Sequence, residues 1–246
     1  MILFKRSREG FLDAHLDARH WASRGFSGAT YALWRKTRDV MRIHCKGLVL
    51  DAGAGRGAWR PLILETAARY ESLDKSSRGT HQPTWIGDLC NIPQIPSARY
   101  DTVVCHQVLE HIRAPGQALD EVCRVLKPGG SLILTVPHLS RRHELPHDYF
   151  RFTQEGVALL LEEHGFDPID VSGYGGLLSF LHHQVSFFFP GLIASLPAIG
   201  VLASLVNFPI SWLVVKLDHI IDNSGLLATG VVAVARRATV AGGNVH

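Results

Sequence analysis

A chain of 246 residues, 46% apolar and 19% charged, can bury the core of one α/β domain with embellishments or of two small domains, and excludes wholesale disorder. The net charge of +3 is unevenly spread: residues 1–46 hold ten Lys/Arg against four Asp/Glu, an excess of six, which leaves −3 for the remainder. Such a basic arm suits nucleic acid, an anionic membrane surface or, most plainly, a solvated helix. Four cysteines (Cys45, Cys90, Cys105, Cys123) are scattered with no CxxC pair, and "MILFKRSREG" lacks the apolar run of a signal peptide. Both features lead to the expectation of buried thiols in a cytoplasmic protein.

Along the chain, "GLVLDA" (47–52) reads as a buried strand, followed by a helix from about Ala58 to Arg69. Short strands are expected at 70–74, 84–88 and 100–106. Pro115 suits a first helical position, and Ala118, Leu119, Val122, Val125 and Leu126 fall on one face of the helix it opens. "KPGG" (127–130) reads as a turn into the strand "SLILTVP" (131–137). Thr153 is placed to cap a helix running to His164 and ending at Gly165. The alternation of strands and helices predicts a parallel sheet flanked by helices. Residues 171–215 contain no Asp, Glu, Lys or Arg, and Pro190, Pro197 and Pro209 interrupt them. The apolar strand "LLATGVVAVA" (226–235) closes the pattern.

The densest motif is "VLDAGAGRGAW" (49–59), a glycine-rich turn between a first strand and a first helix, where nucleotides bind in open parallel sheets. The spacing of Gly53, Gly55 and Gly57 departs from the dinucleotide fingerprint, and Asp51 just ahead of them would repel phosphate. A carboxylate suits a cation, and S-adenosylmethionine carries both an ammonium and a sulfonium. Asp74 ends the second strand, where an acid can hold ribose hydroxyls. Asp88 with Leu89 ends the third, where a carboxylate can accept from an adenine amino group beside an apolar neighbour.

These residues resemble the class I S-adenosylmethionine-dependent methyltransferases. "VLDAGAGRG" is similar to their first motif, "SLDKS" to the acidic end of the second strand, and "GDL" (87–89) to the adenine-contacting motif. "YDTVVCHQVLEHI" (100–112), "EVCRVLKPGGSLILTVP" (121–137) and "HDYFRFTQEGVALLLEEHGF" (147–166) follow in the family's order, the "LEH" and "HDYFRFT" segments marking one large branch. The resemblance implies a Rossmann-like, seven-stranded, mostly parallel sheet with an antiparallel last strand. It implies cofactor binding by Asp51, Ala52, Gly53, Gly55, Gly57, Asp74, Lys75, Asp88, Leu89 and His106. The implied organisation is an N-terminal helical cap over 1–46, closing over the cofactor, and a methyltransferase domain over 47–246 with an apolar helical insertion at about 175–223.

A hydroxyl acceptor benefits from a base, and histidine suits that work near neutrality. His138, directly after the fifth strand, and His147, beside Asp148, are the candidates, with Asp148 as an orienting acid for one of the loop's histidines. His111 reads as structural. The same loop offers His138, His143, Glu144, His147 and Asp148 as ligands, but no metal spacing is present and Arg141 and Arg142 oppose a cation, so no metal is expected. The uncharged block reads as helices lying in a membrane interface over 177–215, with Phe187, Phe188, Phe189 and Trp212 as anchors; three prolines disfavour a spanning hairpin. A self-contained helical subdomain, a lid and a homodimer interface are its other uses.

The expectation is thus O-methylation of a hydroxyl on a glycan or lipid-linked small molecule, cytoplasmic and peripheral on the inner membrane face. C-methylation of a quinone-like isoprenoid lipid and a non-catalytic membrane-associated scaffold are the alternatives. Nucleic acid is not expected, because no base-holding motif or patterned aromatics accompany the basic arm.

Overall fold

A computed structural model describes residues 27–79, 81–193, 197–221 and 225–239, with the side chains of 187–206 outside the description. Most of the basic arm and the anchors Phe187, Phe188 and Phe189 therefore lie outside the described residues. The chain divides into two compact units. One takes the residues up to Thr37 with Gly173–Gly230, and the other takes Arg38–Ser172 with the chain from Val231.

The second unit is built on a sheet of β1 (Leu48–Ala52), β2 (Arg69–Asp74), β3 (Trp85–Ile86), β4 (Tyr100–His106), β5 (Leu126–Pro137), β6 (Phe166–Tyr174) and β7 (Gly230–Arg237). The strand order is β3-β2-β1-β4-β5-β7-β6, a mostly parallel sheet into which the antiparallel last strand inserts. β1 is buried along its whole length, as a central parallel strand covered on both faces must be. It pairs with β2 on one side (Asp51 opposite Ser72) and with β4 on the other (Asp51 opposite Val104). The order reverses between β1 and β4, so their carboxyl ends diverge and leave the crevice where ligands of such sheets bind.

Helix α1 covers Gly28–His44, α2 Arg60–Ile63, α3 Pro115–Val125 and α4 Gln154–Glu163. The Thr153 hydroxyl accepts from the Gly156 N–H (3.0 Å) and starts α4 as its sequence predicts. Ala118, Leu119, Val122 and Val125 bury the inner face of α3. Two expectations are corrected. The helix after the glycines stops at Ile63 rather than near Arg69, because Ile63 is its one buried anchor and 3₁₀-type bonds (Glu65 N to Leu62 O, Thr66 N to Ile63 O) tighten the turn that follows. "KPGG" does not precede β5 but lies within it as a bulge: Leu126 pairs with Tyr100 and Ser131 with Thr102, so the residues between are extruded, with Gly129 at φ +72°.

The first unit holds α5 (Leu177–Ile193) and α6 (Pro197–Ile221, with Pro209 inside it). Among its described side chains, Ser179, Ser186, Ser211 and Asp218 are buried beside Ala29, Ala32 and Val215. The Asp218 carboxylate, buried, accepts from the N–H groups of Gly176, Leu178 and Ser179 at 2.8–3.0 Å and so caps the start of α5. The Gly28 N–H donates to His182 Nδ1 (2.9 Å), so His182 Nε2 carries the proton that Asn207 Oδ1 accepts (2.9 Å); Asn207 Nδ2 in turn donates to Ser186 Oγ (3.2 Å). The outward faces are apolar: Val185 is 52% exposed, Trp212 43% and Ile220 79%. Among the described residues no helix is long and apolar enough to cross a membrane.

Candidate cofactor and acceptor site

At the carboxyl end of β1, three consecutive odd-numbered glycines adopt left-handed backbone: Gly53 (φ +82°), Gly55 (+56°) and Gly57 (+71°). At two of them a side chain is excluded by a neighbour, since a Cβ on Gly53 would lie 2.4 Å from Val108 Cγ2 and one on Gly57 would lie 2.8 Å from His81 Nδ1. A Cβ on Gly55 would meet nothing within 4 Å, so there the chain faces open space. The loop is pinned to β2 by the N–H groups of Gly53 and Ala54, which both donate to Leu73 O (2.8 and 3.0 Å). The Gly55 N–H donates to Asp74 Oδ2 (2.7 Å), so the acid at the end of β2 shapes the loop as well as bordering the crevice.

Asp51 is 2% exposed and accepts from the Tyr70 hydroxyl (2.9 Å). Burial raises its pKa to about 7, against the pull of that hydrogen bond, with the Asp74 charge adding to the rise. A carboxyl held so near neutrality responds to any cation placed beside it. Asp88 Oδ1 accepts from the Cys90 N–H (3.0 Å) and Oδ2 pairs with Lys75 (3.1 Å), so two expected cofactor residues meet each other. Ala52 and Leu89 are buried among the core side chains, which leaves mainly their backbone to a ligand. His106 Nδ1 lies 2.7 Å from Thr135 Oγ1 and its ring tilts against Trp59 (centroids 4.1 Å apart); burial lowers its pKa to about 3 and keeps it neutral.

Gln107 follows β4 with φ +52°, a strained conformation for a residue with a side chain, and its N–H is held by Thr135 O (2.9 Å). The turn it forces delivers the 3₁₀ segment Leu109–His111, with Glu110 fully buried. His111 packs edge-on against His143 (centroids 4.7 Å). The pKa of His143 is raised: its burial opposes this, but the Glu110 carboxylate, the Arg141 carbonyl and the Asp148 charge together outweigh burial.

The loop after β5 separates the residues expected to work together. His147 is exposed and its Nδ1 lies 2.8 Å from the Tyr149 hydroxyl, while Asp148 turns to Arg151 (2.6 and 2.8 Å) and to the His143 N–H (2.8 Å). Asp148 is held down to about 2, burial being outweighed by Arg151 and His143. His138 differs, because its Nδ1 is buried and has no hydrogen-bond partner. Sequence reasoning missed Tyr70, Trp59, Gln107 and Glu110 as parts of this site. Only Glu110 left a signal, an acid inside the apolar run "VLEHI".

A family model described as a methyltransferase domain matches residues 30–171. A probable S-adenosylmethionine-dependent methyltransferase of Mycolicibacterium smegmatis is 33% identical over 139 residues, 51% of this chain and 54% of that protein. The mitochondrial ubiquinone biosynthesis O-methyltransferase of Schizosaccharomyces pombe is 30% identical over 105 residues, 40% of this chain and 37% of that protein. The match therefore spans about half or less of the length of these curated relatives. Among solved structures, the Burkholderia thailandensis 1,6-didemethyltoxoflavin-N1-methyltransferase, with its substrate and S-adenosylhomocysteine bound, superposes with a TM-score of 0.55 over 94% of this chain and 87% of that one. At 18% identity that likeness is one of fold.

Proposed function

The chain belongs to the class I S-adenosylmethionine-dependent methyltransferases, and from that premise we propose that it methylates a hydroxyl on a glycan or lipid-linked small molecule at the cytoplasmic face of a membrane. S-adenosylmethionine fits the residues present: the open backbone at Gly55, the acids Asp51, Asp74 and Asp88 along three strand ends, and a crevice at the strand-order reversal. The cofactor supplies a methyl group already activated on a sulfonium. Asp51 would favour the cationic methionine end, Asp74 the ribose hydroxyls, and Asp88 with Lys75 and Leu89 the adenine. The task left to the protein is alignment of the acceptor and removal of its proton.

His138 is the better base of the two histidines, because its unsatisfied buried Nδ1 is a place for a ligand's hydrogen-bonding group, whereas His147 is exposed and engaged with Tyr149. The membrane half of the reading is carried by one observation: among the described side chains, α5 and α6 bury Ser179, Ser186, Ser211 and Asp218 and expose Val185, Trp212 and Ile220. Water does not select that inversion, but an apolar surface does. Lys216, stacked on Trp212 at 4.1 Å, would lie at headgroup level, and the basic arm adds attraction to anionic lipid.

The full chain can be given S-adenosylmethionine carrying a 13C methyl, with soluble glycans in one series and hydroxylated lipids in anionic vesicles in another. The label is expected on oxygen, by its carbon chemical shift, with faster transfer when vesicles are present. Label on carbon, or transfer indifferent to vesicles, would overturn the corresponding half of the proposal.

A further inference from the structure

One ligand-type atom from each of Glu110, His111 and His143 lies within 4.8 Å of the other two. The Glu110 side chain is fully buried, yet neither carboxylate oxygen has a hydrogen-bond partner. A buried carboxylate in that condition is among the least tolerated arrangements in a protein interior. What faces it is informative. His111 Nδ1 lies 2.6 Å from the His147 carbonyl oxygen, and His143 Nδ1 lies 3.3 Å from the Arg141 carbonyl oxygen. A carbonyl can only accept, so His111 Nδ1 carries the ring proton and its Nε2 is left with its lone pair, while His143 Nδ1 lies between the Arg141 carbonyl and Arg151 Nη2 (3.4 Å).

Both Nε2 atoms point at the same atom, Glu110 Oε1, from 3.7 and 3.8 Å. That is too far for a hydrogen bond, so the buried carboxylate oxygen is left facing two imidazole nitrogens with no donor in reach. A cation among the three atoms would supply the partner that the Glu110 carboxylate lacks. Bonds of about 2.0–2.1 Å in tetrahedral geometry place ligand atoms roughly 3.3 Å apart, against 3.7 and 3.8 Å from Glu110 Oε1 to the two Nε2 atoms and no more than 4.8 Å within the group as a whole. The carbonyl acceptors behind both histidines are the outer partners that orient metal-bound imidazoles. The neighbouring Arg151 does not oppose a cation here, since Asp148 neutralises it at 2.6 and 2.8 Å.

We propose that Glu110, His111 and His143 form a three-ligand site for a divalent transition-metal ion of the zinc type, with a coordination position left for an oxygen from outside the protein. Two imidazoles and one carboxylate favour zinc-like ions over magnesium, which prefers oxygen ligands throughout. The set is not the loop cluster weighed from the sequence, because only His143 is common to both. It borders the glycine loop: Val108, whose carbonyl accepts from the His111 N–H, is the side chain that a Cβ on Gly53 would strike. If the methyl-transfer reading holds, the ion would bind the acceptor oxygen and ease loss of its proton; the binding of metal does not depend on that reading.

Chelator-treated full chain should be titrated with Zn2+ alone, and with Co2+ for its visible absorption, in the wild type and in Glu110→Gln and His143→Ala. S-adenosylhomocysteine affinity is measured on the same samples. One ion per chain at micromolar affinity or tighter is expected, weakened about 100-fold or more by either variant while the nucleoside still binds. No stoichiometric binding, or binding that both variants retain, would overturn the site, the latter by assigning the ion to others of the 14 histidines. Loss of nucleoside binding in the wild type would instead contradict the cofactor reading and leave the metal result to stand by itself.

Discussion

Asp51 shows how one side chain can be tuned by burial against its own stability. Its pKa in the folded protein is about 7, well above that of an exposed carboxyl, so the folded chain binds more protons than the unfolded chain across roughly pH 4–7. The sign follows: the stability this group contributes is fullest below about pH 4 and is lost as pH rises through 7. Asp51→Asn keeps an acceptor for the Tyr70 hydroxyl and removes the titration, so the variant should gain on the wild type as pH rises, by at most about 4 kcal/mol above pH 8. Thermal melts of both proteins at about pH 5 and pH 8 check this, and equal differences at the two pH values would contradict a titrating Asp51. The same variant should bind S-adenosylmethionine far more weakly, since the buried charge that a cation would stabilise is gone.

At the level of elements, legibility followed from how local the signal was. β1, β4, α3 and α4 were readable because apolar period, Pro115 and the Thr153 cap act within a few residues. The short α2 and the bulge in β5 were not, because a single buried Ile63 and the register against Tyr100 decide them, and both are tertiary facts. The site divides the same way. The acids and glycines at strand ends announce themselves in order, whereas Glu110 and His143 are brought together by a strained Gln107 and a long loop that no spacing rule encodes. The α5 and α6 segments were legible as uncharged, but that their described side chains bury Ser179, Ser186, Ser211 and Asp218 and expose Val185, Trp212 and Ile220 is visible only in the fold. If that surface meets lipid, Ile220→Lys with Leu213→Lys should cut flotation with anionic vesicles by about tenfold and leave the melting temperature unchanged. Undiminished flotation would place the contact elsewhere.

For the molecule as a whole, the strand order reverses at β1–β4, and the expected cofactor residues Asp51, Asp74 and His106 stand at the carboxyl ends of β1, β2 and β4, with Asp88 just beyond β3. That order along the strand ends is what the resemblance of the sequence implies. The acceptor chemistry rests on fewer atoms, chiefly His138 Nδ1 and the Glu110 carboxylate, both buried and both without hydrogen-bond partners. The central claim is that the glycine loop binds S-adenosylmethionine, and calorimetric titration of the full chain with this cofactor and S-adenosylhomocysteine tests it most directly, with Gly53→Ala as the matched variant. Micromolar binding of both ligands by the wild type, lost in a variant that remains folded by circular dichroism, is the predicted result. Absence of binding by folded wild type, or binding that Gly53→Ala leaves intact, would contradict it.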